Sequence, residues 1–324
     1  MIKVLFVASG NSKTFDMAPF IKAQAESLRA LGVDVQYFLV EAKGFSGYLR
    51  ASSKLRNLLV KNSIDIIHAH YTLSGWTAVL SLPKQPIVLS LMGSDAYGEY
   101  IGVNKIQLCS RYLTSLTYLI QPFVSSIICK SKNIESFVYL KQKSYVIPNG
   151  IMLDKFTYHE NGFRKELGLD LVKKHILFLG NKENRRKNFN LLEAAVNLIN
   201  SDDIYLVAPY PISHEQVVKY LNSVEVLVLP SLMEGSPNLV KEAMACNCPM
   251  VATDVGDVRW VIGDTPGCFL ASFDPEDMAN KIILALEYSR KHGRSKGRNR
   301  IIELGLDSKT IAKRILHVYK NLVN

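Results

Sequence analysis

Short, nearly continuous apolar runs recur along this chain, and between them apolar residues return at every third or fourth position. The runs read as strands buried on both faces at residues 3–8, 35–40, 64–69, 87–91, 127–129 and 145–147, then at 176–179, 204–208, 226–229, 250–252 and 268–270. Helical patterns separate most of them. Strand alternating with helix predicts an α/β architecture of parallel, doubly wound sheets, with ligands at the carboxyl ends of the strands. Pro148-Asn149-Gly150 supplies turn residues and predicts a break into two domains there.

The 324 residues, 48% of them hydrophobic, suffice for two such domains with full cores. No apolar run approaches the ~18 residues of a membrane span. Residues 1–8 carry a single Lys and run straight into a strand, unlike a signal peptide, so a cytoplasmic location is expected. The five cysteines (Cys109, Cys129, Cys246, Cys248 and Cys268) are scattered, with no His at zinc-like spacing beside Cys246 and Cys248. They are expected to be reduced packing residues.

The formal charge of +10 is lopsided: residues 1–150 carry 16 Lys and Arg against 8 Asp and Glu, and residues 151–324 carry 23 against 21. Residues 48–61 combine Arg50, Lys54, Arg56 and Lys61 with Leu49, Leu55, Leu58 and Leu59. Such a segment either lies on a membrane or is an ordinary amphipathic helix packed on a sheet, and the second is preferred as the default in α/β domains. Residues 290–300 hold six basic residues and no acid, which reads as a solvated connector.

Candidate chemistry concentrates at residues 230–257, PSLMEGSPNLVKEAMACNCPMVATDVGD. The strand EVLVL ends before Pro230, and the chain then turns through Glu234 and Gly235 to Ser236, a good N-cap, with Pro237 at the first helical position. Leu239, Val240, Ala243, Met244 and Ala245 recur at helical spacing. Glu242 therefore lies inside the helix, about two turns beyond the loop that holds Glu234. The N–H groups of Asn238 and Leu239 at the helix start suit phosphate oxygens.

Two glutamates at this spacing, in a strand-turn-helix setting followed by Gly256-Asp257, resemble the E-x7-E signature of the family 4 retaining glycosyltransferases. The resemblance implies the GT-B fold, two Rossmann-like doubly wound domains facing across a cleft. It implies an acceptor-binding domain at 1–150, a nucleotide-sugar-binding domain at 151–307 and a helix at 308–324 that crosses back to the first. Residues 146–151, VIPNGI, resemble the segment that opens the second domain. In the family the first Glu lies beside the donor sugar and the second accepts hydrogen bonds from the ribose, roles that fall to Glu234 and Glu242. Ser236, Asn238 and Leu239 would then line the donor site. Residues 180–188, GNKENRRKN, resemble the diphosphate-binding loop, where Arg186 and Lys187 would neutralise the leaving diphosphate. Asn181 stands where the family usually has Arg, and Lys182 is the candidate to take over that charge. After the first strand, Gly10 and Asn11 correspond to the loop that approaches the diphosphate or the acceptor. The absence there of G-x-G-x-x-G argues against a dinucleotide-binding oxidoreductase.

Two further departures stand out. LMGSD at 91–95 has Met92 where many members carry His, and Met neither donates a hydrogen bond nor shuttles a proton. Either the chemistry does not need that His or the protein is impaired; the first is preferred, because in retaining transfer of this type the leaving phosphate is thought to take the acceptor proton on the same sugar face. Asp95, on the acceptor side, is expected to fix the turn. Between residues 191 and 229 one strand-helix unit of the family pattern is missing, and with Tyr210 as neighbour of the base, uridine and guanosine both stay open. His68 and His70 share a strand face. Either they position the acceptor loop or they are hydrogen-bonded structural histidines; without a third ligand nearby, no metal is expected.

The expectation is a retaining, metal-independent hexosyltransferase that moves a hexose from a UDP- or GDP-sugar to a hydroxyl of a saccharide or lipid-linked saccharide in cell-surface polysaccharide biosynthesis. No cofactor beyond that co-substrate and no nucleic-acid partner is implied. A basic acceptor half suits a polyprenyl-diphosphate sugar and peripheral contact with the anionic inner face of the plasma membrane. Two alternatives stay open. One is a catalytically silent glycosyltransferase-like binding subunit, motivated by Met92 and Asn181; the other is a GT-B nucleotide-sugar epimerase.

Overall fold

The apolar runs build two separate parallel sheets. The computed structural model describes residues 1–11, 17–41, 44–160 and 162–323. In the first half the strands are β1 (Lys3–Ser9), β2 (Asp34–Val40), β3 (Ile66–His70), β4 (Ile87–Leu91), a small pair β5 (Tyr100–Gly102) and β6 (Lys105–Ile106), then β7 (Ser126–Cys129) and β8 (Ser144–Val146). The second half holds β9 (Lys174–Leu177), β10 (Ile204–Val207), β11 (Val226–Leu229), β12 (Met250–Thr253) and β13 (Cys268–Ala271). One sheet runs β2-β1-β3-β4-β7-β8 and the other β10-β9-β11-β12-β13, parallel throughout. Strands β3, β4, β7, β11 and β12 are buried at every position, as parallel strands covered on both faces must be.

The chain divides into one unit of Met1–Gly98, Gln107–Gly150 and Ser308–Asn324, and a second of Glu99–Ile106 and Ile151–Asp307. In the first unit the helix Thr72–Leu80 packs on β1, β3 and β4, and the last helix, Ser308–Val323, packs on β3 and on the helix Pro19–Arg29. Tyr319 anchors that last helix: fully buried, its hydroxyl lies 2.5 Å from His68 Nδ1, while His68 Nε2 meets Ser90 Oγ at 2.7 Å. The helix Gly44–Lys61 buries Ala51, Ser52, Leu55 and Leu59, so the segment considered for a membrane uses its apolar stripe for packing.

In the second unit Ile176, Leu192, Val226, Val228, Val251 and Ile282 form the centre of the core. A single helix, His214–Ser223, connects β10 to β11. The antiparallel pair β5 and β6 joins this unit although it lies within the first half of the sequence, and the sequence pattern did not mark it. Its strands are too short to show a period, and Ile101 and Val103 are exposed.

The basic run near residue 298 is not a solvated connector. Arg294 donates to the carbonyls of Leu221 (2.6 Å) and Val224 (3.0 Å), at the end of the helix His214–Ser223. Arg298 donates to Leu153 (2.9 Å), Phe156 (2.7 Å) and Ala245 (3.3 Å), the last closing the helix Asn238–Ala245. Both guanidinium groups satisfy carbonyls that helix ends and loops leave open. Among the described residues no helix is long and apolar enough to cross a membrane. Replacing Arg298 by Ala should lower the unfolding free energy by about 2 kcal/mol, since it strands partly buried carbonyls. Urea denaturation checks this, and an unchanged midpoint would show that the three bonds contribute nothing net.

Candidate active site

After β9 the loop is shaped by asparagines. Asn181 Oδ1 accepts from the Glu183 N–H (3.0 Å), Asn184 Oδ1 accepts from the Arg186 N–H (3.1 Å), and Asn188 adopts a left-handed conformation (φ 52°) while its amide donates to the Pro230 carbonyl (3.1 Å). The Leu232 N–H donates to the Arg186 carbonyl at 2.8 Å. These bonds stitch the short 3-10 turn Arg185–Lys187 to the loop after β11. The result is an ion cluster in which Arg186 Nη1 donates to Glu234 Oε2 (3.0 Å) while Lys187 Nζ (2.7 Å) and Ser231 Oγ (3.0 Å) donate to Oε1.

The Glu234 side chain is 9% exposed against 34% for Arg186 and 21% for Lys187, so the cations lie on the solvent side of the carboxylate. Burial opposes ionisation of Glu234, but Lys187 and Arg186 outweigh it and hold the carboxyl below its ordinary range. With the carboxylate ionised, two cations and one anion leave a surplus positive charge in a partly dehydrated place. Such a place favours anions.

Glu242 is buried in the helix Asn238–Ala245, and its Oε1 accepts from His214 Nε2 at 2.9 Å. His214 opens the helix His214–Ser223, which Ser213 and Gln216 close with a reciprocal capping box. Its Nδ1 lies 3.4 Å from Lys155 Nζ and its ring packs edge-on against Phe156 at 5.1 Å. Because a carboxylate only accepts, Nε2 carries a proton toward Glu242. The sequence reading missed His214, whose partner lies 28 residues away. Its only local signal was the S-x-x-Q cap that it follows.

Ser236 is not the N-cap. The helix begins at Asn238 with Pro237 in the capping position (φ −67°, ψ 117°) and no side-chain cap. The Ser236 hydroxyl is taken instead by a buried pair: it donates to Asp257 Oδ2 (2.6 Å) and accepts from Lys241 Nζ (2.5 Å), with Lys241 and Asp257 3.8 Å apart. Burial pushes the Lys241 ammonium down and the Asp257 carboxyl up, each against the attraction of the other. Gly256 completes the clamp, since at φ +61° a Cβ there would meet the Glu234 and Gly235 carbonyl oxygens at 2.6 Å. The loop bearing Glu234 is thus pinned from both sides. Asn238 and Leu239 form the first turn beyond it.

Three donor-side candidates lie apart from this group. Asn181 works as a loop former, as its Asx bond shows. Lys182 Nζ sits 4.8 Å over the Phe189 ring and lines a cavity of about 730 Å³ with Arg185, Phe273 and the β5-β6 turn, which none of Arg186, Lys187 or Glu234 lines. Tyr210 is exposed in the loop after β10.

The remaining candidates belong to the first unit. Gly10 follows β1, and a Cβ there would meet Glu41 Cγ at 3.0 Å and Leu39 Cβ at 3.2 Å, so a larger residue would ask the neighbouring strand end to give by a few tenths of an ångström. The Asn11 N–H donates to Ser9 Oγ (3.3 Å). Asp95 is fully buried: Oδ1 accepts from the N–H groups of Met92 and Gly93 (2.9 Å each) and Oδ2 from that of Thr72 (3.2 Å). Burial pushes its carboxyl up to about 6 against those bonds. Asp95 thus joins the 92–95 turn to the start of the helix Thr72–Leu80, whatever side chain stands at Met92. His68 is hydrogen-bonded to Tyr319 and Ser90, while His70 stacks on it at 4.3 Å, buried, with no hydrogen-bond partner for either ring nitrogen among the described residues. Burial and nearby Lys130 push the His70 imidazole well down, leaving it neutral. Among the described residues no group of three or more His, Cys, Asp and Glu is placed to hold a metal ion.

Residues 3–155 match the family model described as Glycosyltransferase Family 4, and residues 209–288 match that described as Glycosyl transferases group 1. A Bacillus subtilis protein with the provisional name teichuronic acid biosynthesis glycosyltransferase TuaC is 29% identical over 227 residues, 61% of this chain and 55% of that protein. The chain therefore spans little more than half of that relative. Among solved structures, sucrose-phosphate synthase from Thermosynechococcus elongatus superimposes with a TM-score of 0.81 at 19% identity, covering 99% of each chain. Anabaena HepE, solved with UDP and glucose, does so with 0.75 at 14%, covering 99% of this chain and all of that one. At such identities these two speak to the fold, which is GT-B.

The folded pKa of Glu234 lies below the unfolded value, so the stability it contributes is present above the ordinary carboxylate range and is lost as pH falls through the depressed value. Glu234→Gln should therefore be less stable than the wild type at neutral pH, with the gap closing in acid. Thermal unfolding from about pH 7 to about pH 3 tests this; a gap independent of pH would mean that the cluster is not ionised as described.

Proposed function

The chain belongs to the family 4 glycosyltransferases, and from that premise we propose that it is a retaining, metal-independent transferase that moves a hexose from a UDP- or GDP-sugar to a saccharide hydroxyl. The observation that carries this reading is the buried Glu234 held between Arg186 and Lys187, with the cations toward solvent. A donor diphosphate arriving there meets two fixed cations, which can transfer their hydrogen bonds from Glu234 to its oxygens. Glu234, released on one side, then stands beside the sugar. Glu242 accepts from the ribose through Oε2, because Oε1 is occupied by His214. The acceptor oxygen attacks the anomeric carbon, the bond from that carbon to the diphosphate oxygen breaks, and the leaving phosphate takes the acceptor proton on the same face.

Within the first unit Asp95 holds the turn at Met92, and Asn11 and His70 are read as acceptor contacts. The unpartnered ring nitrogens of His70 support that role. The acceptor is read as a lipid-linked intermediate of a cell-surface polysaccharide: the basic first half supports the lipid-linked acceptor, and the name of the Bacillus relative, which is that of a teichuronic acid biosynthesis glycosyltransferase, supports the polysaccharide. HepE, solved with UDP, makes UDP the first nucleotide to try. Met92 keeps the silent-subunit reading in play, since its thioether cannot replace a His that faces the sugar.

Glu234→Ala should cut transfer by roughly 10²- to 10³-fold while leaving nucleotide binding measurable. Glu242→Ala and His214→Ala should instead weaken UDP or GDP binding, each by about ten-fold. Titration calorimetry and release of nucleoside diphosphate check both. Equal donor affinity in wild type and Glu242→Ala would remove the ribose assignment, and binding without turnover would favour the silent subunit. A new nucleotide sugar with no released diphosphate would indicate the epimerase.

A further inference from the structure

The first unit carries an apolar face that the donor chemistry does not use. On the helix Ser110–Ile120, Thr117 and Ile120 point into the core, while Tyr112 and Leu119, seven residues apart and so on one side, are 68% and 57% exposed. The face continues past the helix. Phe123 is 60% exposed with its ring 6.0 Å from that of Trp76, and Tyr118 stacks on Tyr139 at 4.3 Å. These groups are held rigidly by the buried Gln121, whose amide nitrogen donates to the Phe137 carbonyl (3.3 Å) and whose oxygen accepts from the N–H groups of Tyr139 (3.0 Å) and Leu140 (3.3 Å). The aromatic side chains are therefore presented by a braced surface rather than by a loose loop.

Charge selects the occupant. Residues 107–146, the segment that carries the aromatic face, hold five Lys and Arg against one acid, Glu135, and of these Arg111, Lys132 and Lys141 are exposed. Glu135 is only partly exposed and accepts from Ser144 Oγ at 2.7 Å. Protein interfaces are depleted in Lys, whereas two of these three exposed cations are Lys. Tyr, Trp and Phe interleaved with Lys and Arg suit the boundary between acyl chains and anionic headgroups, with the rings at the interface and the cations reaching the phosphates. We propose that this face, from Tyr112 through Phe123 to Tyr139, docks the protein on an anionic membrane. The proposal deepens the reading of a lipid-linked acceptor, which it would bring to the first unit. It does not involve the helix Gly44–Lys61, whose apolar stripe is buried.

The test is sedimentation of the full chain with vesicles of phosphatidylcholine alone or mixed with phosphatidylglycerol, alongside UDP and GDP binding in solution. Wild type should bind the mixed vesicles and not the neutral ones. Tyr112→Ser with Leu119→Ser should weaken binding by about ten-fold or more. Arg111→Glu with Lys132→Glu should abolish the preference for anionic lipid, and nucleotide affinity should stay unchanged in both. Because the nucleotide readout is separate, failure of the membrane proposal and failure of the donor site are distinguishable. Wild type that ignores anionic vesicles, or variants that bind them as wild type does, would overturn the proposal. Self-association lost in the serine variant without vesicle binding would do the same, assigning the face to a second copy of the chain.

Discussion

A buried carboxylate is tolerable only when its charge is answered, and in this protein Glu234 is answered twice. Arg186 and Lys187 reach it from the turn after β9, and that single constraint determines much of the second unit. The asparagine-built loop gives the turn its shape, and Asn188 and Leu232 bond it to the chain after β11. The surplus cation favours anions there before any ligand arrives, and the same network orders the two loops that carry it.

The other side of the Glu234 loop is fixed by Lys241 and Asp257 through Ser236, with Gly256 pressed against the carbonyls of Glu234 and Gly235. A fully buried Lys is costly unless paired, so the pair acts as a spacer that admits few alternative geometries. Arg298 closes the end of the same helix by capping Ala245. Glu242 therefore projects from a helix secured at both ends, and His214 sets the orientation of its carboxylate.

Much of the fold was legible because parallel strands buried on both faces leave a continuous apolar run, which local periodicity reveals. All eleven strands of the two large sheets fall at the runs identified, within a residue or two at their ends. The β5-β6 pair escaped because it has neither length nor a buried face. The site was legible where residues adjacent in sequence act together, as Arg186 and Lys187 do. It was opaque where chemistry depends on distant partners: His214 gains meaning only beside Glu242, and Arg294 and Arg298 read as solvated charges because a sequence does not show which carbonyls lie open. Ser236 followed the rule for helix starts and lost to a stronger competitor, the buried Lys241 and Asp257. Asn181 and Met92 were legible only as departures from a motif; that Asn181 builds its loop and that Asp95 holds the turn at Met92 through the backbone emerges only in three dimensions.

The most direct measurement is calorimetric titration of UDP and GDP into the wild type and into Arg186→Ala/Lys187→Ala. If the cluster around Glu234 is the diphosphate site, one nucleotide binds the wild type and its affinity falls by about 100-fold or more in the double variant, the loss expected for two charge-assisted contacts. Equal affinity in both proteins, or no binding of either nucleotide to the wild type, would contradict that assignment.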